Sequence, residues 1–252
     1  MLNKIFNEDC LEGMKKLDDN SVDLVLTSPP YNIGKEYETK IPIEDYLSWS
    51  ESYLSEIYRI LKNGRSFMFQ VGIHIDKETN SIPLSYLVYP IISKIGFKLR
   101  QEIVWSVKGG MQAKKKLTGQ HEIIMWLYKG KELPYFDLDS IRVKEWKSID
   151  KRNNPNGKNP TNVWDINRVA GNSKEKVGHP CQFPVQMIER ITKGWSKEGD
   201  IILDPFMGSG TTAIACLNTN RNYIGFELDS TYHELATQRV KSYLSNTTEE
   251  GN

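Results

Sequence analysis

The chain has 252 residues, 38% hydrophobic and 26% charged, which is enough to bury a full core and ordinary for a globular protein. Its net charge of +1 excludes a protein that coats nucleic acid through bulk charge. No apolar run approaches a membrane span and the N-terminus carries no secretory pattern, so a soluble, cytoplasmic protein is expected.

Residues 2–9 read as a short strand and 11–17 as a helical turn. Val22-Asp23-Leu24-Val25-Leu26 is then a short apolar run that stops at Ser28-Pro29-Pro30, the pattern of a buried parallel strand. Over 43–61 apolar residues recur at Tyr46, Leu47, Trp49, Tyr53, Leu54, Ile57, Tyr58 and Leu61, which is helical spacing, and Gly64 follows where a helix would stop. A strand at 66–71, a helix near 82–95, and strands at 99–107 and 121–128 come next.

Between Lys129 and Val177 the pattern is polar and turn-forming, centred on Asn153-Asn154-Pro155-Asn156-Gly157-Lys158-Asn159-Pro160, and reads as an insertion. Regular patterning resumes with a helix at 183–194, a strand at 201–203, a glycine loop, a helix at 211–218, a strand at 223–226 and a helix at 230–244. A disordered tail is expected from Asn246 to Asn252. Alternating strands and helices imply a mostly parallel sheet covered on both faces.

Local charge is the remaining route to nucleic acid. Lys108, Lys114, Lys115 and Lys116 cluster beside Gly109 and Gly110 with no acidic residue among them, and residues 142–176 carry a basic surplus of five. Phosphate contacts are expected at those four lysines and at Lys151 and Arg152. The three cysteines, Cys10, Cys181 and Cys216, are odd in number and far apart, so free thiols are expected, and the four scattered histidines offer no metal site.

Asp204-Pro205-Phe206-Met207-Gly208-Ser209-Gly210-Thr211-Thr212 puts glycines between a buried strand and a helix, where open α/β sheets bind ligands. A phosphate could use such a cradle, but no G-x-x-x-x-G-K-[ST] is present, which argues against an NTPase. Glu227 ends the next strand, where an acid commonly accepts ribose hydroxyls. A turn glycine pair with a solvated glutamate is the plainer alternative.

Thr27-Ser28-Pro29-Pro30-Tyr31 suits a different task. Prolines donate no backbone hydrogen bond while the carbonyls around them stay free to accept, and a base amine with two N–H groups needs acceptors. The Ser28 side chain and the Pro29 carbonyl are the expected acceptors, and Tyr31 offers a face for an extruded base. A rigid diproline turn with an aromatic plug is the alternative for this segment alone. The loop 32–42, with Gly34, Lys35, Tyr37 and Lys40, either closes over that base or is an ordinary solvated loop.

With both motifs in place the chain resembles the amine-directed DNA methyltransferases, whose motifs are [Asp/Asn/Ser]-Pro-Pro-[Tyr/Phe/Trp] and Phe-x-Gly-x-Gly. The resemblance covers most of the chain, and the motif order is similar to that of the β group. It implies a circularly permuted, Rossmann-like, S-adenosylmethionine-dependent methyltransferase fold. Residues 1–130 would form the catalytic half, 131–176 the target-recognition insertion and 177–245 the cofactor half. Asn7-Glu8-Asp9-Cys10 and His179-Pro180-Cys181-Gln182-Phe183-Pro184 also resemble family segments, which implies Asp9 and Cys10 near the cofactor's adenine and Phe183 near its methionine end. The implied cofactor set is completed by Asp204, Pro205, Phe206, Gly208, Ser209, Gly210, Thr211, Thr212, Glu227 and Leu228, and the catalytic set is Ser28, Pro29, Pro30 and Tyr31.

Pro180-Cys181 is expected to be coincidental, since amine methylation needs no thiolate, and His179 is expected to be a hydrogen-bonding residue rather than a base. Within the family a first-position Ser mostly accompanies cytosine N4 and an Asp mostly adenine N6, so Ser28 implies cytosine N4, with adenine N6 the alternative. Duplex DNA is the implied substrate, a cognate restriction endonuclease the implied partner, and a monomer or homodimer the implied state. An RNA substrate, a glutamine methyltransferase and a non-catalytic DNA-binding subunit are the competing classes. The glutamine enzymes carry their motifs in the opposite order, and a dead subunit would be expected to have lost a motif residue.

Overall fold

The central strands of this chain, over residues 22–27, 66–71 and 201–204, are buried on both faces, which requires helices above and below them. In the computed structural model, which describes residues 1–35, 38–75, 81–107, 114, 117–143 and 154–249, the strands form one eight-stranded sheet and a small hairpin. In chain order the first half comprises β1 (Lys4–Phe6), α1 (Cys10–Met14), β2 (Val22–Thr27), α2 (Ile43–Ile60), β3 (Leu61–Val71), β4 (Ile73–Ile75), β5 (Ser81–Pro83), α3 (Leu84–Ile95), β6 (Lys98–Ser106) and β7 (His121–Tyr128). The second comprises β8 (Val163–Asp165), α4 (Val185–Trp195), β9 (Ile201–Asp204), α5 (Thr211–Asn218), β10 (Asn222–Phe226) and α6 (Ser230–Glu249).

The sheet order is β1-β10-β9-β2-β3-β7-β6-β8, and only β7 runs against its neighbours. Successive side chains alternate between two cores. Val25, Phe67, Phe69 and Leu203 join α1, α2 and α3 on one face, while Leu24, Leu26, Met68 and Ile202 join α4 and α5 on the other.

Three local expectations are corrected. Gly64 does not stop the second helix; its left-handed φ of 72° falls inside β3, which begins at Leu61 directly after α2. The insertion is not wholly outside the sheet, because Val163–Asp165 pairs in parallel with β6 and buries Trp164; three residues are too few to show a period. The final helix runs through Asn246 to Glu249, where a disordered tail is expected from sequence. No helix among the described residues is long and apolar enough to cross a membrane.

Candidate active site

β2, β3, β9, β10 and β1 are parallel, so their carboxyl ends share one edge, and the loops leaving that edge enclose a cleft of about 840 Å3. Both sequence motifs line it. They meet because β2 and β9 are adjacent, with Val25 in register with Leu203.

A buried carboxylate ties them together. Asp204 accepts from Thr27 Oγ1 at 2.6 Å, from Thr212 Oγ1 at 2.6 Å and from the Phe206 amide at 3.1 Å. Burial pushes its carboxyl up to about 6 despite those three hydrogen bonds. Asp204 therefore holds the segment before Ser28 to the glycine loop, and its oxygens are engaged by protein.

Ser28 Oγ lies 2.7 Å from the Tyr31 hydroxyl. The Pro30 carbonyl accepts from Tyr46 at 2.8 Å, whereas among the described residues no hydrogen bond reaches the Pro29 carbonyl. The Tyr31 ring sits over Gly72, where a Cβ would come within 2.6 Å of the ring. The described residues of the following loop are tied to one another. Glu38 accepts from the Asn32 and Ile33 amides at 2.8 Å, and buried Asn32 exchanges two bonds with Ile41. Tyr37 lies outside the described residues.

At the glycine loop, Glu227 accepts from the Gly208 amide at 2.8 Å and the Asp229 amide at 2.9 Å, leaving each oxygen a lone pair for a further donor. Gly208 has φ 52°, and a Cβ there would lie 3.1 Å from His179. Pro205, Phe206, Ser209, Phe183 and the exposed Leu228 line the same space. The Phe206 ring also packs against Trp49, with centroids 5.6 Å apart and planes tilted by 58°.

Thr211 and Thr212 face the cleft but spend their hydroxyls on protein: Thr211 donates to the Phe183 carbonyl, and Thr212 bonds Asp204. Asp9 caps α1, accepting from Leu11 N at 2.9 Å. Cys10 is buried, its thiol pushed up to about 12 by that burial. Gly210 is the exception to the expected set. It lies off the cleft, where a Cβ would meet Ala236 of α6 at 3.1 Å, so it serves helix packing.

Gln70 and Glu122 are among the polar residues on the cleft that the motifs did not point to. Gln70 accepts from the Tyr31 hydroxyl and donates to Glu122. A glutamine inside Phe67-Met68-Phe69-Gln70-Val71 was the available signal, because a buried amide in an apolar strand needs partners. Trp105, in register with Glu122, walls the same end.

His179 accepts from the Cys181 amide through Nδ1 at 3.2 Å and packs edge-on against Tyr232. Burial, aided by Lys176 and Lys35, holds it down to about 4, so it is neutral near pH 7. Lys35 Nζ lies 2.8 Å from Cys181 Sγ. All three cysteines are free. Of the expected phosphate contacts Lys114 is exposed, and Lys108, Lys115, Lys116, Lys151 and Arg152 lie outside the described residues.

A permuted parallel sheet with these motifs at one edge has the architecture of an S-adenosylmethionine-dependent methyltransferase. The chain matches the DNA methylase family over residues 22–238. It is 41% identical over 247 residues to the type II methyltransferase M.BglII of Bacillus subtilis, covering 94% of this chain and 68% of that protein. It is 34% identical over 250 residues to the DNA adenine methyltransferase YhdJ of Escherichia coli, covering 94% and 82%.

Among solved structures it matches the PvuII DNA methyltransferase (cytosine-N4-specific) with TM-score 0.77 and 20% identity, over 93% of this chain and 84% of that one. A Thermus thermophilus protein described as a DNA modification methylase, complexed with S-adenosyl-L-methionine, matches with TM-score 0.69 and 25% identity, over 94% and 92%. The chain belongs to the β group of amine-directed DNA methylases.

Proposed function

We propose that this DNA methylase acts on the N4 amine of cytosine in duplex DNA, with a cognate restriction endonuclease as its partner in the cell. S-adenosylmethionine is the cofactor; when bound it supplies a methyl group on a sulfonium. The observation that carries the reading is the convergence of Ser28, Pro29 and Tyr31 with the Gly208–Glu227 loop in one cleft. On the cofactor side, Glu227 has lone pairs to spare for ribose hydroxyls, Asp9, Cys10 and Leu228 border the adenine end, and Ser209 and Phe183 the methionine end. On the base side, the unengaged Pro29 carbonyl and Ser28 take the amine protons, and Tyr31 with Trp105 walls the extruded base. Ser28 favours cytosine N4.

The test is incubation with methyl-labelled S-adenosylmethionine and mixed-sequence duplex DNA, followed by nucleoside digestion and mass spectrometry. N4-methylcytosine is expected. N6-methyladenine would keep the chemistry and overturn the use made of Ser28, and label in neither base, with cofactor bound normally, would redirect the search to RNA.

A further inference from the structure

The direction of the Ser28–Tyr31 hydrogen bond decides what Ser28 can offer an amine. Either hydroxyl could be the donor across that 2.7 Å contact. If Ser28 donates, its lone pairs remain for the amine; if it accepts, its proton faces the cleft and opposes the amine's own protons.

The neighbours fix the direction. An ionised carboxylate only accepts, so Gln70 must turn its NH2 group to Glu122 and its carbonyl oxygen to Tyr31. The one phenolic proton of Tyr31 then goes to Gln70. Ser28 has to supply the proton in the remaining contact. Gln70 is only 3% exposed, so water does not readily replace these partners.

We propose that Glu122 is a positioning residue that, through Gln70 and Tyr31, orients the Ser28 hydroxyl as an acceptor toward the target amine. The proposal rests on the amine-methylating reading above. A serine so oriented presents to the amine what a carboxylate would present: lone pairs and no proton.

Acid reverses the chain. Protonated Glu122 becomes a donor, Gln70 can turn over, Tyr31 can donate to Ser28, and the serine proton swings into the cleft. The charged groups facing Glu122 are Arg168, Lys35 and its neighbour His121, with Gln70 bonded to it from β3 and Trp105 beside it on β6. All of these except Trp105 favour the ionised form, but desolvation outweighs them and holds the carboxyl above the usual glutamate range. Activity should therefore fall with acidification at a higher pH than an ordinary glutamate would cause.

The test compares Glu122→Gln in the wild-type and Ser28→Asp backgrounds, with product read as methylated nucleoside and folding checked by circular dichroism and S-adenosylmethionine binding. Glutamine at 122 does not titrate and lets the chain run either way. In the wild-type background it should lower kcat about tenfold, leave KM for S-adenosylmethionine unchanged, and remove the acid limb of the pH profile. With Asp at 28 the acceptor no longer depends on the chain, so the same substitution should cost less than about twofold.

Equal losses in both backgrounds, or an E122Q enzyme with wild-type kcat and an unaltered acid limb, would overturn the proposal while the methylated product upheld the amine reading. A wild-type protein that binds cofactor and methylates no base amine would overturn that reading instead. Should S28D not turn over, or E122Q not fold, the wild-type pH profile decides, and an acid limb no higher than an ordinary glutamate's overturns the proposal.

Discussion

Asp204 serves both motifs at once, and its ionisation costs the folded state. Its folded value of about 6 lies above the ordinary 3.8, so the stability associated with this group is full below about pH 4, falls as pH rises through about 6, and is level beyond. Between pH 7 and pH 4 the wild type should gain on the order of 2–3 kcal/mol relative to Asp204→Asn, read from urea unfolding at each pH. A difference that does not change with pH would show that the carboxyl is not buried as described. Gly72 makes a separate demand: Gly72→Ala would push a methyl into the Tyr31 ring, and Tyr31→Ala removes that ring altogether. Both variants, and Pro30→Ala, should lose turnover while binding S-adenosylmethionine as the wild type does, measured by single-turnover labelling and calorimetry. That Ser28 to Tyr31 and Gly208 would border one cleft was legible because each sits in a contiguous motif at the end of a buried strand. Gln70 and Glu122 were not, since their contact spans 52 positions and depends on the β3–β7 register, which no short stretch encodes.

The helices and strands were legible where a period persisted, and less so at their ends. The 18 residues of α2 carry a sustained apolar face, but its last carbonyls are met by residues far along the chain, the Asn20 and Ser21 amides and Lys129. Lys129, just after β7, donates to the carbonyls of Tyr58, Arg59 and Leu61 and to Asn20 Oδ1, satisfying acceptors that a glycine cap would otherwise serve. From sequence Lys129 is only the first residue of a polar region. Lys129→Met keeps the length of the stem and removes those bonds, so unfolding free energy should drop by about 2–4 kcal/mol with secondary structure retained. A loss below about 0.5 kcal/mol would mean that water replaces the ammonium. The short α1 depends on its cap in the same manner. Asp9→Ala should cost about 1 kcal/mol, seen as a lowered Tm, because the amides of Leu11 and Glu12 lose their acceptor.

Alternating strands and helices revealed the sheet and both its coverings, but the irregular stretch 131–176 does not lie wholly outside it, because short pieces of that stretch belong to the scaffold. Ile141 is 7% exposed, Trp164 3% and Ile166 5%, all in the core shared with α4, and Trp105 donates to the Ile166 carbonyl at 2.7 Å. Base recognition by such a protein depends on where a few side chains of an irregular region are placed, so exchanging that region between family members is the direct way to move specificity. An exchange of all of 131–176 removes those buried residues along with any readout, and should cost several kcal/mol through lost burial of Trp164 and Ile166 alone, at about 2–4 kcal/mol for each large side chain. An exchange confined to 144–160 leaves Ile141, Trp164, Ile166 and β8 in place. It should fold with a Tm within a few degrees of the wild type, bind S-adenosylmethionine equally well, and methylate a different DNA sequence, scored by nucleoside analysis of a site library. If the smaller exchange kept the original recognition sequence, readout would have to be placed outside 144–160, with the basic cluster at Lys114 the next segment to exchange.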